Sequence, residues 1–109
     1  MTIEQFTHVA GFDAVCMPDP EKEINGAYVG DLLSWVMGNA TAGNVWVTIM
    51  SNSNIVAVAS LTDVSCILLA EGVEIDRSIV DVAVNKGVNI LATKLSSYEA
   101  SVQISRVVS

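Results

Sequence analysis

Two short stretches of this chain gather groups suited to holding an anion: Ser51-Asn52-Ser53-Asn54 and Thr93-Lys94-Leu95-Ser96-Ser97. Hydroxyls, amides and backbone N–H groups at a helix start can bind a phosphate or a carboxylate, and Lys94 adds positive charge. The competing reading is that these residues only cap helices, as Ser, Thr and Asn commonly do. No Gly-rich phosphate fingerprint separates the two readings. Tyr28 and Asp31 form a second candidate pair. A carboxylate beside a phenol can bind a ribose hydroxyl or a partner's backbone. Equally, Asp31 fits as the N-cap of a helix over Leu32–Met37, and Tyr28 as a half-buried aromatic with a wet hydroxyl.

Reactive chemistry is not written into the chain. There is no Walker-type lysine loop, no Gly-x-Ser-x-Gly elbow and no GxGxxG. A nucleophile triad would have to recruit the single His8, in a terminal segment away from Cys16 and Cys66. The same three residues lack any metal-ligand spacing, and two cysteines make no disulfide framework. Neither a cofactor nor a metal is therefore expected, and no enzyme activity. Asp63, Glu71, Glu74, Asp76 and Asp81 read as a solvated acidic face, since acid–base pairs would need partners in a cleft.

The elements that must position the candidate groups follow from hydropathy. Val45-Trp46-Val47-Thr48-Ile49, Cys66-Ile67-Leu68-Leu69 and Asn89-Ile90-Leu91-Ala92-Thr93 are strand-length blocks, apolar enough to be buried on both faces. The segments between them are long enough to cross over as helices. This predicts an α/β fold, a small mainly parallel sheet with helices on both faces, in one domain over residues 1–109. Ile55 to Leu61 is the point of conflict. Its β-branched residues favour a strand, but two parallel strands need a crossover, so a buried helix is expected, capped by Ser53 or Asn54. Further helices are expected from Thr2 to about Val9, ending at Gly11, and from Asp76 to Lys86-Gly87. The Asp76 helix should turn Ile79, Val80, Ala83 and Val84 to one face. A last helix opens on the capping-box spacing of Ser96 and Glu99. Ala14–Met17 fits a short edge strand, Ile24–Val29 an extended segment, and Trp35 and Trp46 core positions.

Twelve acidic against five basic residues give a net charge of −7, which repels a phosphate backbone and excludes nucleic acid as a partner. The longest apolar runs are too short to span a membrane, and the N-terminus has no secretory signal, so the cytoplasm is the expected compartment. A mean hydropathy of +0.51 is high for a lone small domain and predicts an apolar patch used in self-association or docking.

Three stretches carry a family resemblance. Gly26–Met37, Val45–Ile49 continuing through Asn54–Ser60, and Gly87–Leu91 followed by Ser97-Tyr98-Glu99 together resemble the DRTGG domain family. The similarity runs from about Ile24 to the end of the last helix. It also extends to the N-terminal, non-kinase domain of HPr kinase. The resemblance implies a non-catalytic regulatory or ligand-sensing module. In the family this domain is attached to CBS-domain pyrophosphatases and phosphotransacetylase-like proteins. Such a module would bind a small anionic or nucleotide-like effector, a partner protein, or both, and work as a homodimer. Stand-alone versions beside redox and hydrogenase-type genes imply the alternative, a structural accessory subunit of a cytoplasmic redox assembly. One departure stands out. Where the family carries Asp-Arg-Thr-Gly-Gly, this chain has Glu23-Ile24-Asn25-Gly26-Ala27, keeping only the first glycine, which can still take a positive φ at a turn, and lacking the Arg and Thr suited to touching an anion.

Overall fold

The structure, a computed structural model, describes residues 1–108. Its elements in chain order are α1 (Ile3–Ala10), β1 (Asp13–Cys16), β2 (Gly26–Val29), α2 (Leu33–Asn39), β3 (Asn44–Thr48), α3 (Asn54–Thr62), β4 (Cys66–Leu69), α4 (Arg77–Lys86), β5 (Ile90–Ala92) and α5 (Ser97–Val107). The sheet runs β1-β5-β4-β3-β2. β2, β3, β4 and β5 are mutually parallel, and β1 joins β5 antiparallel at one edge. The expected mainly parallel α/β architecture is what forms.

Both faces of the sheet are covered, which is why its central strands read as unbroken apolar runs. Val45, Val47, Cys66, Leu68 and Leu91 point to one side, where Ile3, Phe6 and Ala10 of α1 and Ala100 and Ile104 of α5 close over them. Trp46, Ile67, Leu69 and Ile90 alternate to the other side, beneath Val36 of α2, Ile55, Val56, Val58 and Ala59 of α3, and Ala83 of α4. Trp46 is completely buried, and its indole Nε1 donates to the Gly30 carbonyl at 2.9 Å. That bond removes the polar cost of placing an indole in the core.

Ile55–Leu61 is helical, as the topology demanded, and its β-branched residues pack inward despite their strand propensity. α1 and α5 both start with a complete capping box, Thr2 with Gln5 and Ser96 with Glu99. Gly11 and Gly87 end α1 and α4 in left-handed conformation, at φ 74° and 72°.

Several local expectations are corrected. Ser53 precedes α3 but already has helical dihedrals, φ −65° and ψ −22°, and makes no cap bond; Asn54 is the first helical residue. A capping side chain needs an extended backbone to fold back onto the first turn. Asp76 occupies the N-cap position of α4 without a side-chain bond. On that helix Ala83 is buried, Ile79 and Val80 are half-buried, and Val84 is 48% exposed beside the β1 edge. Trp35 is not core: it stands 65% exposed on α2, because Leu33, Val36 and Ala40 occupy the inward face of that short helix.

Candidate functional site at the carboxyl ends of the parallel strands

Four parallel strands deliver four chain segments to one end of the sheet: Gly30-Asp31 after β2, Ile49–Ser53 after β3, Ala70–Val73 after β4 and Thr93–Ser96 after β5. In open α/β sheets this is the end at which ligands are held. Neighbouring strands lie roughly 4.8 Å apart, so the carboxyl ends of β3 and β5 are about 10 Å apart, with β4 between; the chain leaves β3 for α3 on one face of the sheet and β5 for α5 on the other.

Asp31 was expected to cap α2. Instead Leu32 occupies the N-cap position, and the Asp31 carboxylate turns to the end of β3. There Oδ1 accepts from the Thr48 hydroxyl at 2.8 Å and from the Ile49 N–H at 2.9 Å. The cause is local. The Gly30 N–H donates to the Val47 carbonyl, holding the chain alongside β3 for one residue beyond the strand. Tyr28 goes elsewhere. It is half-buried on the α2 side of the sheet, in register with Trp46, and its ring lies against Gly30 so closely that an added Cβ there would meet it at 3.1 Å. Among the described residues no hydrogen bond joins Tyr28 to Asp31, so the two do not act as a pair.

In the segment after β3, Asn52 Oδ1 accepts from the Asn54 N–H at 2.9 Å, a local turn. Ser51 is half-buried, Asn52, Ser53 and Asn54 are exposed, and the Ser51 and Ser53 hydroxyls have no hydrogen-bond partner among the described residues. After β5, the Thr93 hydroxyl accepts from Leu95 N–H at 3.2 Å. Ser96 is engaged in its capping box, with Glu99 N–H donating to its Oγ at 3.1 Å. Half-buried Ser97 begins α5, and its carbonyl accepts from Ser101 Oγ at 2.6 Å. Lys94 is exposed and has no ion-pair partner among the described residues. Thus Ser96 acts as a cap, while the donors of Ser51, Ser53 and Lys94 are unengaged among the described residues.

Two contributors at this end were not singled out from sequence. Thr48 links Asp31 to the β3 terminus. Glu71-Gly72, after β4, both adopt left-handed backbone, at φ 62° and 69°. Their N–H groups donate to Leu95 and Thr93 carbonyls at 2.8 and 3.0 Å, tying the β4 and β5 segments together. An added Cβ at Gly72 would lie 3.9 Å from Lys94 Cγ, so the lysine stem runs over this turn. The signal for it was the Glu-Gly doublet directly after an apolar run.

The opposite end of the sheet holds the stretch that replaces Asp-Arg-Thr-Gly-Gly. Gly26 has no positive φ there: it is the first residue of β2. The left-handed glycine is Gly43, at φ 88°, with the Asn25 amide packed where its Cβ would stand, at 2.5 Å. Asn25 Nδ2 donates to the Ala42 carbonyl at 2.8 Å and Asn44 Nδ2 donates to Asn25 Oδ1 at 3.2 Å. Buried Asn89 donates through Nδ2 to the Asp19 and Ser65 carbonyls and accepts from the Asp19 N–H. Ser65 Oγ donates to the Glu23 carbonyl. These polar side chains hold loops together.

No three His, Cys, Asp or Glu side chains cluster to hold a metal among the described residues. Burial pushes the Cys66 thiol well above its ordinary range, so it stays protonated and inert. Cys16, half-buried, is raised for the same reason, partly offset by a backbone hydrogen bond from Ile90. No described helix is long and apolar enough to cross a membrane.

With this geometry in view, comparison with known proteins places the chain. The DRTGG domain model matches residues 21–107, most of the sequence, and the chain belongs to that family. A solved structure with the same fold contains the CBS and DRTGG domains of the regulatory region of Clostridium perfringens pyrophosphatase, complexed with its activator, diadenosine tetraphosphate. The likeness has a TM-score of 0.75 at 15% identity and covers 98% of this chain. It covers 47% of the other, so this chain spans about half the length of that regulatory region. No curated protein matches the sequence.

Proposed function

We propose that this chain is a non-catalytic regulatory module that binds a small anionic or nucleotide-like effector at the carboxyl ends of its parallel strands and works as a homodimer in the cytoplasm. The observation that carries the reading is the unengaged donor set there: the Ser51 and Ser53 hydroxyls in the segment after β3 and the Lys94 ammonium in the segment after β5. Membership in a family whose solved relative is a nucleotide-activated regulatory region supports the same reading. Asp31 and Thr48 would shape the floor of the site.

The test is a thermal-shift panel of mononucleotides, dinucleoside polyphosphates and acyl phosphates. A ligand at a hundred times its Kd stabilises the folded state by about 2.7 kcal/mol, an easily read upward shift in Tm. Failure of every member to move Tm removes the effector. A second reading, a structural accessory subunit of a redox assembly, is favoured by one observation, the exposed Trp35 and Leu32 on α2 and its approach. On that reading Lys94→Ala and Ser53→Ala leave function intact, whereas Trp35→Glu abolishes assembly.

A further inference from the structure

The two edges of the sheet are finished differently. At one edge β1 carries exposed Asp13, a register shift between Ala14 and Cys16, and Pro18 and Pro20 just beyond it. Charge, bulge and proline are the usual devices that stop another strand from adding. At the other edge β2, Gly26-Ala27-Tyr28-Val29, has none of them, and its outer side is unpaired among the described residues. Directly beyond it the chain turns into α2 and exposes Val29, Leu32 and Trp35, at 48%, 65% and 65%. Ile49, 43% exposed, is fastened to the same corner through its N–H to Asp31.

Charge identifies what fits there. Asp31 is the sole charged residue between Ile24 and Thr62, and its Oδ1 accepts from Thr48 and Ile49. All other charges of a chain with net charge −7 lie outside this stretch. The corner offers a basic partner at most that one carboxylate. A second copy, repelled wherever acidic surfaces meet, finds its neutral approach here. A two-fold axis sets an edge strand antiparallel to itself and a patch against itself, which is the self-complementarity such an interface needs. A stable interface takes about 800 Å² from each partner, roughly one seventh of the 5612 Å² surface of this chain.

We infer that two copies of this chain pair through the β2 edge and the Leu32–Trp35 corner, with Trp35 as the anchor and β2 antiparallel to its counterpart. The inference builds on the dimeric state proposed above and is independent of the effector. Light scattering coupled to size exclusion on the full chain tests it, with Trp35→Glu, Ala27→Lys and, as control, Leu61→Glu on α3. All three positions are exposed, so circular dichroism should report an unchanged fold. The wild type and Leu61→Glu should run at twice the 11.5 kDa chain mass. Trp35→Glu and Ala27→Lys should run as monomers, weakened on the order of 100-fold as expected for a lost anchor. A monomeric wild type overturns both this surface and the dimeric state. Dimers that persist in either edge variant, or dissociate in Leu61→Glu, overturn the surface and leave the dimeric state standing.

Discussion

The two ends of the parallel strands carry similar residue types but engage them to different extents. At the amino ends, Asn25, Asn44, Ser65 and Asn89 are all engaged, binding loop to loop through side-chain amides and hydroxyls. At the carboxyl ends, Asp31, Thr48, Thr93 and Ser96 are engaged in the same way, but the Ser51 and Ser53 hydroxyls and Lys94 stand unused among the described residues. A polar side chain that already holds the fold together cannot also grip a ligand without releasing something. On the proposed function, the difference separates residues that hold the fold from residues left to bind.

Mutations can break this comparison, and the largest effect should come at the amino ends. Asn89→Ala removes three hydrogen bonds, two donated and one accepted, leaving the Ser65 and Asp19 carbonyls and the Asp19 N–H without that partner. Chemical denaturation should show a loss of roughly 2–4 kcal/mol, with effector affinity unchanged in the folded protein. Asp31→Ala releases the Thr48 hydroxyl and the Ile49 N–H and should cost about 1–3 kcal/mol. It should also loosen the floor of the site, so both stability and affinity should fall. Gly43→Ala forces a side chain into left-handed backbone against the Asn25 amide and should cost about 1–2 kcal/mol without touching binding. Lys94→Ala should change stability by less than about 0.5 kcal/mol, as at other exposed sites.

The cysteines supply a pH-dependent counterpart. Both thiols are shifted upward in the fold from an ordinary value of 9.0. Above that value the unfolded chain releases its thiol protons while the folded chain retains them, so the unfolded state binds fewer protons. Stability should therefore hold at neutral pH and decline as pH rises past about 9. Cys66→Ala should flatten that decline more than Cys16→Ala, since Cys66 is the fully buried group. Denaturant titrations at pH 7 to 10 read the slope directly.

The fold was largely legible because burial on both faces leaves a plain mark. Val45-Trp46-Val47 and Cys66–Leu69 could be read as covered strands, and the need for a crossover resolved Ile55–Leu61 as a helix against its own propensity. What escaped were the local bonds decided by single-residue offsets. Asp31 lies one residue too early to cap α2 and turns to β3 instead. Gly26 looks like a turn glycine, yet the left-handed position falls on Gly43, its neighbour across the sheet. Trp35 has the composition of a core residue, but a helix of seven residues offers too narrow an inward face to bury it. The candidate segments Ser51–Asn54 and Thr93–Ser97 could be placed at helix starts from sequence. Which of their side chains are engaged depends on backbone dihedrals that composition does not encode.

The most direct test of the central claim is a calorimetric titration with whichever nucleotide or dinucleoside polyphosphate raises Tm in the panel, run in parallel on wild type, Lys94→Ala and Asn25→Ala. The account predicts saturable binding to wild type and Asn25→Ala, and affinity about tenfold weaker in Lys94→Ala, the loss of roughly 1.4 kcal/mol that one charge-assisted contact supplies. Equal binding by wild type and Lys94→Ala, with the loss falling on Asn25→Ala, would place the ligand at the wrong end of the sheet and contradict it.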